Sequence, residues 1–136
     1  MSGPFDRNGV IVAFFDDAWN GTTTVQWPNV SFKQPGLEEA YVRFSVLEGP
    51  EFQGEMANTG SRGFKGVGVI IISIFTKLGA GTKEPRELAA TIEQIFRATK
   101  ATGGVRFRAP YSEDIGETKG RYQFNVTIPF EWWAQY

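Results

Sequence analysis

"IIISIFTKLGAGTKEPRELAATIEQIF", residues 70–96, passes from an apolar run through two glycines and a lysine into a segment with helical spacing. A phosphate-binding loop here would make the chain an enzyme, whereas a plain strand, turn and helix would not. A Walker-type loop needs G-x-x-x-x-G-K-[ST], because its backbone amides wrap the phosphates and the lysine directly follows the second glycine. In this chain Gly81 is followed by Thr82 and only then by Lys83, and Thr76 stands where the first glycine belongs. A dinucleotide fingerprint starting at Gly79 and Gly81 would need a third glycine where Glu84 stands, and a carboxylate there repels a pyrophosphate. The stretch reads as an ordinary connection between a strand and a helix.

Working outward, both faces of residues 64–75 are apolar. Val67, Val69 and Ile71 lie on one face, and Ile70, Ile72 and Ile74 on the other, which predicts a central strand covered on both sides. Downstream, Pro85 suits the first helical position, and Leu88, Ile92, Ile95, Phe96 and Thr99 form a stripe at helical spacing. Glu84 and Glu87 near its start and Arg97 and Lys100 near its end complement the helix dipole, and Gly103-Gly104 is expected to stop it. "VRFRA" at 105–109 reads as a short strand and "PYSEDIGETKG" at 110–120 as a polar loop. Residues 121–130 place Tyr122, Phe124, Val126, Ile128 and Phe130 on one face, the cleanest alternation in the chain.

Upstream, residues 4–19 place Val10, Phe14 and Ala18 on one row and Ile11, Phe15 and Trp19 on the next, as in a short amphipathic helix ended by Asn20-Gly21. "TTTVQW" is a short strand stopped by Pro28, and "VSFKQPGLEE" is a loop. "AYVRFSVL" at 40–47 alternates as a half-buried strand. Glu48-Gly49-Pro50 signals a turn, after which "EFQGEMA" returns as a second strand of a hairpin before a polar turn at Asn58–Ser61. The order predicts a single α+β domain spanning 1–136. A mainly antiparallel or mixed sheet would be flanked by an N-terminal helix and one longer central helix.

Composition narrows the chemistry. With 14 Lys and Arg against 15 Asp and Glu, the net charge of −1 argues against gripping nucleic acid by bulk electrostatics. The absence of cysteine and histidine removes disulfides, thiolate sites, a Ser-His-Asp triad and most zinc or iron sites. No cofactor and no metal are expected, and catalysis would rest on carboxylates, Lys, Tyr or Ser. The longest apolar run, Val67 to Phe75, is well short of the roughly 20 residues that span a bilayer, and "MSGPFDRNG" lacks the pattern of a secretory signal. Neither membrane insertion nor secretion is expected.

The adjacent carboxylates Asp16-Asp17, Glu38-Glu39 and Glu113-Asp114 read as solvated surface charge. Arg106 and Arg108 share a strand face, either solvated, or opposite a phosphate backbone or a carboxylate of a neighbouring subunit. Trp132, Trp133 and Tyr136 near the chain end either cap the core or dock on another chain.

Five pieces in order, "VQWPNVSFKQPG", "AYVRFSVLEGP", "GVGVIIISIFTKLGAG", "ELAATIEQIF" and "GRYQFNVTIPFEWW", resemble the tail-terminator proteins of long-tailed phages, of the lambda-type minor tail protein U kind. The resemblance reaches from Val25 to Trp133 and lies in order and spacing rather than in a catalytic signature. It implies a non-enzymatic virion protein, assembled in the host cytoplasm, that forms a hexameric ring at the head-proximal end of the tail tube. Its partners would be other copies of itself, the major tail tube protein and the head-completion proteins, with DNA passing through the lumen. Read in that light, Glu48, Gly49, Pro50, Glu51, Phe52 and Gln53, the segment Lys77, Leu78, Gly79, Ala80, Gly81, Thr82 and Lys83, and Trp132 and Trp133 are candidate subunit or tube contacts, since loops on a rigid sheet commonly carry function. The two loop stretches read equally well as simple turns. The alternatives are a tail-tube or head-tail connector subunit, or a small ligand-binding domain or carboxylate-based enzyme.

Overall fold

The computed structural model describes residues 7–53, 63–99, 101–102 and 104–135. Its elements are α1 (Arg7–Trp19), β1 (Thr24–Gln26), β2 (Tyr41–Gln53), β3 (Gly63–Lys77), α2 (Lys83–Ala98), β4 (Ala101–Thr102), β5 (Val105–Phe107), β6 (Tyr111–Thr118) and β7 (Arg121–Gln135). The strands form one sheet in the order β1-β2-β3-β7-β5-β4, and β6 also pairs with β7. All pairings are antiparallel except β1 with β2, so the α+β architecture with a mixed sheet is as the sequence predicts.

β3 is the spine. It pairs with β2 from Tyr41↔Phe75 to Gln53↔Phe64, and with β7 from Lys77↔Arg121 to Gly63↔Gln135. Ile70, Ile72 and Ile74 are fully buried beside Val42 and Phe44 of β2 and Phe124, Val126, Ile128, Phe130 and Trp132 of β7. Both helices cover this face. α2 brings Ala89, Ile92 and Phe96, and α1 brings Ile11, Phe15 and Trp19. Phe15 sits 5.2 Å from Phe44 and 6.0 Å from Phe96 between ring centroids, so the aromatics tie both helices to the sheet. Each such side chain, once fully buried, contributes about 1.5–3 kcal/mol.

Of the two rows read on α1, the one running through residues 11, 15 and 19 faces the core, while Ala18 is exposed. The helix ends as expected, with Asn20 and Gly21 in the left-handed region at φ 49° and 72°. Residues 4–6, the proposed first turn, lie outside the described residues.

Four readings need correction. Glu48-Gly49-Pro50 is not a turn, because β2 runs through it without reversing. The register shifts between Glu48 and Glu51, leaving a bulge, and β1 pairs only as far as Arg43, so this part of β2 is an edge. Both circumstances tolerate a proline that cannot donate to a ladder. The hairpin is instead β2 with β3, and the Asn58–Ser61 turn lies outside the described residues. Secondly, "YSEDIGET" is the strand β6, not a loop. Its side chains are nearly all exposed, so it carries no apolar alternation, and its pairing with β7 holds it in place. Thirdly, α2 stops at Ala98, ahead of the glycines. Thr99 turns extended at φ −115°, ψ 101°, and Gly104, at φ 86°, serves the β4–β5 turn.

The fourth concerns the second face of β3. Val67, Val69 and Ile71 are only half-buried, and no helix among the described residues covers them. The segment 27–40 lies over just one end of this face. There Phe32 packs on Tyr41 with ring centroids 5.2 Å apart, and Tyr41 stacks on Phe75 at 4.9 Å. Arg121 pins the segment, donating to the carbonyls of Glu39 at 2.8 Å, Pro35 at 2.6 Å and Gly36 at 3.3 Å.

Candidate functional site

The pairing of β3 sorts the sequence-predicted contact residues into two groups. Glu48 to Gln53 lie beside Gly68 to Phe64 on one side of β3, and Trp132 and Trp133 lie beside Gly66 and Lys65 on the other. These two stretches, 80 residues apart in sequence, therefore meet at one end of the sheet. Lys77 to Lys83 sit at the opposite end. From Lys65 to Lys77 along β3 is about 12 residues, or roughly 40 Å at the rise of an extended strand.

At the first end, Glu48 and Gly49 are exposed. Trp132 is 1 % exposed and belongs to the core, so it caps the chain's own interior and offers no surface for docking. Gly66 makes this possible. A Cβ there would lie 2.0 Å from the Trp132 ring, so the indole occupies the space a side chain would fill. Beside it Glu131, 6 % exposed, receives Lys65 Nζ at 3.0 Å and an Arg108 guanidinium nitrogen at 3.2 Å. The hydrogen bond from Lys65 is the main cause that holds the Glu131 carboxyl below the usual glutamate range; burial opposes it, and Arg108 adds to the lowering. Arg108 thus faces a carboxylate of its own chain, not the neighbouring subunit's carboxylate that one of the sequence readings offers.

At the second end, Lys77 closes β3 and pairs with Glu38 at 2.9 Å, a solvent-exposed bridge worth little by itself. Leu78, Gly79, Ala80, Gly81, Thr82 and Lys83 are all exposed. Gly79 and Gly81 adopt φ 83° and 84°, the left-handed conformation glycine enters without penalty, so the two glycines serve the turn. Thr82 precedes α2 but makes no side-chain cap, its hydroxyl instead lying 3.4 Å from Arg86 Nε.

Arg121 and Glu131 were missed by sequence reasoning as positions of consequence. Each is a single charge on the polar side of an alternating strand, and nothing local distinguishes such a residue from a solvated one. Among the described residues no group of three or more acidic side chains is placed to hold a metal ion, and no helix is long and apolar enough to cross a membrane.

Among the described residues, two helices pack on one face of a mixed, largely antiparallel sheet, which defines an α+β protein. The model of the phage tail terminator protein family matches residues 11–130, and the chain belongs to that family. Its role is accordingly a structural one in a phage tail, as a component of the virion. A solved structure 17 % identical in sequence is similar over 92 % of this chain and 94 % of its own, with a TM-score of 0.65, a likeness that bears on the fold alone. No curated protein sequence matches the chain.

Proposed function

We propose that the chain closes into a homo-oligomeric ring, hexameric in number, that caps the head-proximal end of the tail tube. The ring ends tube polymerisation, offers its other side to the head-completion proteins, and lets DNA pass through its lumen. The observation that carries this reading is the family match over residues 11–130. The layout of the subunit supports it, since a cap must meet two different neighbours and the two groups of contact residues stand at opposite ends of one stiff sheet. A ring also needs two unlike lateral patches on each subunit so that the rotation closes. We assign Glu48–Gln53 together with Trp133 to one contact set and Lys77–Lys83 to the other. A net charge of −1 suits a conduit that should not hold its cargo.

The test is the mass of the purified protein by light scattering coupled to size exclusion, with and without tail tubes. A closed hexamer, or a monomer that becomes a stoichiometric cap on tube ends, is expected. Long stacked polymers would mark a tube subunit instead, and a monomer indifferent to tubes would overturn the assembly reading.

A further inference from the structure

Beneath the 27–40 segment lies a cleft of about 330 Å³ lined by Gln26, Gln34, Tyr41, Arg43, Phe75, Thr118, Lys119 and Arg121. Arg43, Lys119 and Arg121 bring three basic side chains to it, and no Asp or Glu is among the lining residues. Arg121 is only 3 % exposed, forms no ion pair with any described residue, and its Nε is buried with no hydrogen-bond partner. Three backbone carbonyls and the Tyr41 ring, 4.9 Å below the guanidinium carbon, supply partial negative charge but no counter-ion. A buried guanidinium without a carboxylate is costly, and two further cations around the same cleft raise the local potential.

Lys119 brings a further basic side chain to the same cleft. It occupies the two-residue β6–β7 turn at φ 50°, ahead of Gly120 at φ 81°. Such a turn favours Asn or Asp followed by Gly, and a lysine in the left-handed region costs about 1 kcal/mol.

We propose that this cleft is an oxyanion site. It takes a carboxylate or a phosphate-sized anion between Arg43, Lys119 and Arg121, with Gln26, Gln34 and Thr118 as neutral hydrogen-bonding walls. The chemistry is shared by two sources, a free inorganic anion and an acidic side chain presented by a neighbouring protein. The site is independent of whether the chain forms a ring.

Nitrogen-detected or proton-nitrogen NMR on the full chain tests it, following the Arg121 Nε–H and the backbone amides of Arg43, Lys119 and Gly120. One titration uses inorganic phosphate at constant ionic strength, the other a blocked tetra-glutamate peptide. Saturable shifts at these four positions are expected, with Kd about tenfold weaker or more in the double variant Arg43→Gln, Lys119→Asn. Both changes are on exposed residues, and Asn suits the turn, so the variant should retain the native spectrum elsewhere. Tighter binding of the peptide points to a presented carboxylate, and binding of phosphate alone to a free anion. Absence of saturable shifts with either probe, or shifts unchanged in the double variant, would overturn the proposal.

Discussion

At the scale of single residues, two positions hold the first end of the sheet together. Gly66 is glycine because the Trp132 indole fills the space above its Cα, with ring atoms 2.0 Å from where a Cβ would stand. Gly66→Ala should therefore displace a fully buried tryptophan and cost about 3 kcal/mol, the upper part of the range for overpacking, read as a lower urea midpoint with a slope that stays the same. Glu131 makes a second prediction. Its folded-state carboxyl is held below the ordinary range chiefly by Lys65, so its stabilising contribution is fully present above the unfolded glutamate pKa and is lost as pH falls through the lowered folded value. The difference in unfolding midpoint between the native chain and Glu131→Gln should be largest at neutral pH and shrink on acidification below the usual glutamate range. A difference that grows toward acid would contradict the ion triad.

At the scale of elements, α2 is held by its packing rather than by its cap. Ala89, Ile92 and Phe96 are buried along one stripe, while Thr82, at φ −112°, ψ 6°, bonds no amide of the first turn through its side chain. Removing an N-cap hydroxyl ordinarily costs about 1 kcal/mol. Here Thr82→Ala should cost less than about 0.5 kcal/mol, a shift of Tm at the edge of detection by calorimetry. A loss of the usual size would mean that the cap forms in solution. The stripe of α2 and the alternation of β7 were legible in the sequence because each lies within a few turns or residues of one element. β6 was not, since an edge strand exposed along its length has no hydrophobic period to read.

For the whole molecule, the sheet holds the two proposed contact sets at opposite ends, and the prediction concerns the one at 77–83. Leu78 is 40 % exposed at the tip of the β3–α2 connection, with no role in the core. Leu78→Asp should leave the thermal transition within about 0.5 kcal/mol of the native chain, as exposed substitutions usually do. Under the proposed function it should nonetheless reduce capping of tail tubes, scored by tube length in electron micrographs. Unchanged capping would remove this loop from the contact set and leave the residue 48–53 end as the candidate.

What the sequence by itself determined is the set of strongly periodic pieces: the apolar spine of β3, the one-sided β7, the striped α2, and the exclusion of a phosphate loop between Gly79 and Lys83. These rest on local periods and on fixed motif spacing, which are properties of neighbouring residues. Only the tertiary structure decided that β2 carries on past Gly49-Pro50, that β6 is a strand, and that Trp132 points inward. It alone also placed Glu131 between Lys65 and Arg108, and buried Arg121 under a segment more than 80 residues away in sequence. In each case the deciding partner is distant along the chain. Pairing with β3 or β7 offsets a weak local preference, and the same pairing sets which isolated charges are enclosed.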